Sequence, residues 1–436
     1  MILPRFALVE QRFPNRAISD IPSQIQQELA RADFIQRAPA GAQIAIGVGS
    51  RGISNLATIV KSVVEFWKAQ GARPFLFPAM GSHGAATGEG QADVLAHYGI
   101  DEATMGAPVI SSLDVVNVGK TGEGIDVFMD KNAYQSDAVF LVGRVKWHTD
   151  FSGAIESGLF KMMAIGLGKL AGAQQYHTFA YRMGLEQVIR SVGTKVLETG
   201  KVLGGLAVLE GALHETAGLV AVSSAQGASA MLKHEEELLR TVKSWMGKLP
   251  APEIDILIVD EIGKNISGAG MDTKVINRSV QAQYNPFPDT PIIQRIYARG
   301  LTSNTYGNGV GLGMADIVHD RLLAGIDWHP TALNSLTAST PSAIRTPVHF
   351  PTDRECLEKI APTVGKIDLR TVTYCRIRNT LELQQAWVSD TLIPHLSPLA
   401  HVLSDLIEAP FDSAGNMEDF SNQLPENRRP LAASYH

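Results

Sequence analysis

Between Val145 and His177 the chain reads VKWHTDFSGAIESGLFKMMAIGLGKLAGAQQYH. Most of it is glycine, alanine and apolar residues, and three groups able to do chemistry stand out: His148, Lys161 and His177. Lys161 is flanked by a phenylalanine and two methionines. A lysine in such surroundings either lays its stem along a greasy face with its ammonium in water, or is desolvated, with a lowered pKa and an amine able to form a covalent link. The neutral imidazole of His177, sixteen residues further on, can bind a metal. One histidine is not a coordination shell, so the protein alone cannot supply one here.

Two further residues share the placement of His148. Arg51 follows AQIAIGVGS, His83 follows FLFPAMGS, and His148 follows AVFLVGRVKW. Each has a plain structural reading, the histidines as hydrogen-bonded loop residues and Arg51 as a surface ion pair. Together they suit one reaction. Moving a proton off one face of a centre and back onto the other takes two groups that titrate near neutral pH, and imidazole does. A guanidinium can hold a carboxylate through two parallel hydrogen bonds. The pattern suggests racemisation or epimerisation of a small hydroxy acid, although a hydrolase or a dehydrogenase could use the same groups.

The elements that must position these residues follow from the apolar pattern. Ala42 to Ser50 reads as a buried strand. SNLATIVKSVVEFWKAQG reads as a helix with Ser54 as N-cap and Gly71 as stop. Further strands are expected in RPFLFPAMGSHG and DAVFLVGRVKWH, and helices in AATGEGQADVLAHYG and over Gly158 to Leu170, with His177 beyond the latter. Strands alternating with helices predict an α/β fold with mainly parallel sheets flanked by helices. In such a sheet, ligands bind outside the carboxyl ends of the strands. SWMGKLPAPEI (Ser244 to Ile254) precedes a fresh βα pattern, IDILIVDEIGKN. This predicts two α/β domains, a catalytic and cofactor-binding one over 1–247 and one over 248–436 that closes the substrate cleft between them. The polar tail from Pro410 is expected to be loosely held.

Composition narrows the function. A chain of 436 residues exceeds what one core usually holds. A formal net charge of −6 argues against a general nucleic-acid binder. No run of about 18 apolar residues predicts a membrane span. The start, MILPRFALVEQRF, lacks the apolar core of a signal peptide, so a bacterial-type cytoplasm is the default compartment. Cys356 and Cys375 form no CxxC motif, which leaves zinc-ribbon and iron–sulfur readings unsupported. GVGSRG (Gly47 to Gly52) matches GxGxxG, yet the acidic residue a dinucleotide site wants after the next strand is missing from FLFPAMGSHG. Its glycines are better read as letting backbone approach a phosphate-bearing ligand at a helix N-terminus. GNGVGLG is a second candidate anion loop, or a flexible turn, which is the favoured reading. HEEEL (His234 to Leu238) lacks the second histidine of a zinc HExxH and reads as a solvated helix face.

These residues resemble those of the lactate racemase family, enzymes that use a nickel-pincer nucleotide. GSRGIS, GSHG and Val145–His177 carry the resemblance in the first domain. VDEIGKNISGAGMD is similar to a divergent branch of the family rather than to the lactate racemase itself. The resemblance implies a pyridinium-3,5-bisthiocarboxylic acid mononucleotide carrying nickel, joined covalently through one arm to Lys161, with His177 completing the square plane. Soft donors in that geometry suit nickel. It also implies His83 and His148 as general base and acid, and Arg51 as the carboxylate clamp. Ser50, Gly52 and Lys146 join Lys161 as candidate cofactor-binding residues. In the family mechanism one histidine takes the hydroxyl proton while the α-hydride moves to the cofactor. The flat 2-keto acid then takes the hydride back on either face. Val48 stands where the family often carries an acidic residue, and the His148–Lys161 spacing is longer than in the lactate enzyme. These departures point past lactate to a larger hydroxy acid or a sugar acid. For the family's second-domain substrate lysine the candidates are Lys264, Lys274 and Arg278, with Lys264 taken first. Cofactor-synthesis proteins are the implied partners. Two other classes remain open from the residues alone: a lysine Schiff-base lyase or aldolase resting on Lys161, and a non-catalytic binder of a small carboxylate or nucleotide resting on Arg51 and the glycine loops.

Overall fold

A computed structural model of the chain describes residues 3–49, 52–81, 83–149, 151–409 and 411–424. The chain forms two compact units, one of them Asn15–Met246. The other runs from Gly247 onward and takes in the chain's start up to Pro14. The first strand, β1 (Phe6–Gln11), therefore departs from a simple 1–247 and 248–436 division.

The first unit is built on β2 (Gln43–Val48), β3 (Arg73–Pro78), a hairpin of β4 (Val115–Lys120) and β5 (Asp126–Asp130), then β6 (Ala138–Val145), β7 (Val202–Glu210) and β8 (Thr216–Ser223). Its main sheet runs β3-β2-β6-β7-β8. The pairs β2·β3, β2·β6 and β6·β7 are parallel and β7·β8 is antiparallel. The continuous apolar run of β2 is what a strand covered on both faces requires. The crossover helix Leu56–Ala69 buries Ile59, Val60, Val63, Val64, Phe66 and Trp67, a helical spacing. It stops before Gly71, whose φ of +76° a residue with a Cβ would resist. Its N-cap is Asn55, in the left-handed region, rather than the expected Ser54.

The second unit holds β9 (Glu253–Ile262), β10 (Ile292–Leu301), β11 (Ile317–His319), β12 (Val348–Phe350), β13 (Tyr374–Ile377), β14 (Gln385–Ser389) and β15 (Ala400–Val402). With β1 they form one sheet in the order β12-β11-β10-β9-β13-β14-β1-β15. It is parallel from β12 to β13 and antiparallel beyond, with Phe6–Glu10 paired against Ser389–Gln385. The α/β class with mainly parallel sheets holds in both units. Among the described residues no helix is long and apolar enough to cross a membrane.

The segment after Pro410 is not loose, as its polarity suggests, but is clamped through residue 424. Met417, Phe420 and Leu424 are buried. The Met417 N–H donates to Asp353 Oδ2 (2.8 Å) and the Phe420 N–H to Asp260 Oδ2 (3.2 Å). Asp353 takes Arg299 in a two-pronged contact at 2.8 and 2.9 Å, and Arg376 Nε donates to Asp260 Oδ1 at 2.7 Å. Buried charges of this kind are tolerated because each finds several partners, and removing one strands the rest. Asp353→Ala is expected to cost roughly 3–5 kcal/mol in urea denaturation. A loss well under ~1 kcal/mol would show that the cluster does not hold the tail.

Candidate active site

The parallel strands β3, β2 and β6 are adjacent, so the loops after their carboxyl ends lie along one sheet edge. These loops carry Arg51, His83 and His148. Ser50 and Arg51 lie outside the described residues. His83 and His148 are both half-buried. An ion pair anchors the segment just after Arg51. Glu210, at the end of β7, receives Arg144 of β6 at 2.5 Å and the Ser54 N–H at 3.2 Å, and Arg144 also donates to the Gly52 carbonyl at 3.0 Å.

The His148 loop folds around a second buried carboxylate. Glu156 accepts the His148 N–H (2.6 Å), the Gly153 N–H (3.1 Å) and the Lys243 ammonium (2.5 Å). Lys146, half-buried, donates its N–H to Ser157 Oγ at 2.8 Å. The His148 ring lies beside Phe151, with centroids 4.6 Å apart.

Lys161 ends the short helix Leu159–Lys161, and a π-helical turn follows over Met162–Gly166. Such turns recur at functional sites, because the widened turn re-aims the side chains around it. Helix resumes over Leu167–Met183. That run is broken at Lys169 (φ 54°, ψ −154°), so His177 lies beyond the first helical stretch, on the helix after the break, and it is exposed, while Lys161 is half-buried. The deeply desolvated lysine of this segment is Lys169, whose amine burial draws below the usual lysine value against the pull of Asp130.

A third carboxylate caps the helix that carries Lys161. Glu235 Oε2 accepts the N–H groups of Leu159 (3.0 Å) and Phe160 (3.2 Å), two of the donors a helix start leaves open. Among the described residues its Oε1 has no hydrogen-bond partner. Gly158 makes room: at φ +132° it has no Cβ, and one would lie 2.4 Å from that oxygen. Glu235 belongs to HEEEL, so that stretch is not wholly a solvated face: Glu235 turns inward and is 1% exposed, and Leu238 is buried as well. Burial, against its contacts with Phe160 and Leu159, pushes its carboxyl up to about 8.

Close packing joins the His83 loop to the Lys161 turn. A Cβ on Gly81 would lie 3.0 Å from Ile165 Cγ2 and 3.2 Å from Ala173 Cβ, and one on Gly166 2.9 Å from the Ala79 carbonyl. A Cβ on Gly143 of β6 would lie 2.2 Å from Met162 Sδ. Gly52, His83, Lys146, His148 and Lys161 thus belong to neighbouring segments of one unit. Lys264 belongs to the other unit, after β9. Its Nζ donates to the Gly268 carbonyl at 2.7 Å and its N–H to Thr305 Oγ1 at 3.0 Å. Lys274 Nζ stands 3.4 Å from the Phe287 ring centroid, and Arg278 stacks on Tyr284 at 3.8 Å with Nη2 3.2 Å from Asp316. Sequence reasoning passed over Arg144, Glu156, Lys169, Glu210 and Glu235. For the first four the available signal was a single charge inside an apolar run, as in GAIESG and IGLGKLAG; Glu235, within HEEEL, carries no such signal.

The chain is thus a protein of two α/β units with mainly parallel sheets, and the loops that carry the candidate residues follow the carboxyl ends of strands in the first. A solved structure with this fold is the lactate racemase apoprotein from Thermoanaerobacterium thermosaccharolyticum. The likeness covers 83% of this chain and 96% of that one at 15% identity, with a TM-score of 0.52. At this identity the likeness establishes the fold. A Thermotoga maritima protein of known crystal structure aligns over 77% of this chain and 85% of its own at 13% identity, but its TM-score of 0.48 carries no weight. No family model and no curated protein matches the sequence.

Glu235 makes a pH-dependent prediction. Below about pH 4.5 its carboxyl is protonated both folded and unfolded, and between there and about 8 only the folded chain keeps the proton. Its contribution to stability is therefore full below 4.5 and declines as pH rises toward 8. Glu235→Gln, neutral throughout, is expected to gain at least about 2 kcal/mol relative to the parent between pH 5 and 8, read by urea denaturation. A pH-independent difference between the two would place its titration at the ordinary carboxylate value.

Proposed function

We propose that this chain is a racemase or epimerase of a 2-hydroxy acid that works with a nickel-pincer nucleotide. The observation that carries the reading is the convergence of the His83 and His148 loops and the Lys161 turn within one lactate-racemase-like fold. The donor types fit the cofactor. Lys161 offers a primary amine at a half-buried π-turn for covalent attachment, and His177 offers an exposed imidazole on the helical run that follows. Among the described residues no three His, Cys, Asp or Glu side chains gather around one point. In this reading His177 is the protein's single metal donor and the carrier brings the others. When bound, the cofactor supplies a reversible hydride acceptor.

The chain's own residues do the rest. Arg51 holds the substrate carboxylate through parallel hydrogen bonds. One of His83 and His148 takes the hydroxyl proton and the other serves the opposite face, returning a proton to the carbonyl oxygen of the 2-keto acid. Glu156, by holding the His148 N–H, fixes where that ring begins. Ser50, Gly52 and Lys146 take the nucleotide phosphate, the first two as backbone and hydroxyl donors and the third as a cation. Lys264 is the second unit's candidate substrate-binding lysine. The substrate is lactate-like or larger, a sugar acid included, and the partners are the proteins that build the cofactor.

An α-deuterated hydroxy acid of one hand tests the reaction. Racemised product that keeps its deuterium supports hydride transfer, and loss of the label to water would mean removal of a carbon-bound proton instead. His83→Ala and His148→Ala are each expected to lower kcat by about 10²–10⁴ while retaining the covalent cofactor. Full activity in both would refute the acid/base assignment.

A further inference from the structure

Lys169 is wholly buried, and the reaction proposed above makes no use of it. Its backbone stands at φ 54°, ψ −154° inside a helical run. A residue with a Cβ occupies that region only where its surroundings hold it there, and such strain gathers at functional sites. Here the side chain does the holding. Its Nζ donates to the carbonyl of Pro78, the last residue of β3 (2.8 Å), and to Oε1 of Gln91 (2.7 Å). It also lies 3.6 Å from Oδ2 of Asp130, at the end of β5 and equally buried.

Gln91 passes this constraint on. Its Nε2 faces the carbonyls of Met80 (3.3 Å), Gly81 (3.0 Å) and His83 (3.4 Å). An ammonium has only donors, so Lys169 can meet only the oxygen of the Gln91 amide. That fixes which way the amide points, and so presents its N–H groups to the His83 loop. A reversed amide would set oxygen against three carbonyls and nitrogen against a cation.

We propose that Lys169 is a positioning residue: acting through Gln91, it fixes the backbone that presents His83. Because it follows the π-turn after Lys161 in the same segment, it couples the placement of the acid/base histidine to that of the cofactor-bearing lysine. Its catalytic consequence rests on the functional reading above, whereas the placement of His83 does not.

The test is carbethoxylation of the full chain by diethyl pyrocarbonate, followed peptide by peptide, with His148 as internal reference. Gln91→Glu keeps an acceptor for Lys169 and loses the donors to the loop, and Gln91→Met loses both. Each is expected to change the His83 rate by about threefold or more with His148 unaltered. Lys169→Met combined with Asp130→Asn, which removes both charges at once, is expected to do the same. If that double variant does not fold, the Gln91 variants decide. An unchanged His83 rate in Gln91→Glu and Gln91→Met overturns the proposal, and so does an equal change at His83 and His148 in Gln91→Glu. In cofactor-loaded chain, Gln91→Glu is expected to lower kcat by roughly tenfold or more, with KM and the mass at Lys161 unchanged. A loaded parent without racemase activity sinks the functional reading and leaves the His83 measurement standing.

Discussion

The site depends on a close backbone approach between the end of β3 and the π-turn after Lys161. Gly166 leaves so little room that a Cβ there would lie 2.9 Å from the Ala79 carbonyl, and Gly81 faces Ile165 nearly as tightly. Side chains larger than hydrogen at these two positions would push the His83 loop off the helical run. The parallel order β3-β2-β6 supplies the common edge, but it fixes only which loops are neighbours. The glycines fix how near the β3 loop stands to the segment that carries Lys161.

Buried carboxylates then hold the reactive segments from beneath. Glu210 takes the Ser54 N–H, Glu156 those of His148 and Gly153, and Glu235 those of Leu159 and Phe160. At Glu210 and Glu156, which are ion-paired with Arg144 and Lys243, such bonds to backbone N–H are charge-assisted and stronger than neutral ones, whereas Glu235 keeps its proton up to about pH 8. Burying a carboxylate is costly unless it is satisfied. Glu210 and Glu156 meet that cost with Arg144 and Lys243. Glu235 has no such direct partner, and its raised pKa follows.

Much of this arrangement was legible in the residues alone. Continuous apolar runs such as IAIGV and AVFLVG marked buried parallel strands, and the polar residues after them marked the sheet edge on which the candidate residues stand. Lys161 stood out as a charge among apolar neighbours. What stayed hidden depends on long-range pairing. The capping role of Glu235 comes from a helix far along the chain, so within HEEEL it reads like its solvated neighbours. Lys169 looks like Lys161 in sequence, yet one is wholly buried and the other half-buried. The membership of β1 in the second unit could not be read from a local pattern either, because its partners β14 and β15 come near the end of the chain. Polarity misled at the C-terminal segment, where Met417, Phe420 and Leu424 outweigh the charges around them.

Everything proposed for the reaction rests on Lys161 carrying a nickel-bearing nucleotide. The most direct measurement is peptide-level mass spectrometry with nickel analysis on chain produced alongside cofactor-synthesis proteins, with a lactate racemase loaded in parallel. The expected result is an added mass on the Lys161 peptide, nickel near one per chain, and loss of both in Lys161→Ala. An unmodified, nickel-free chain beside a loaded control would contradict it.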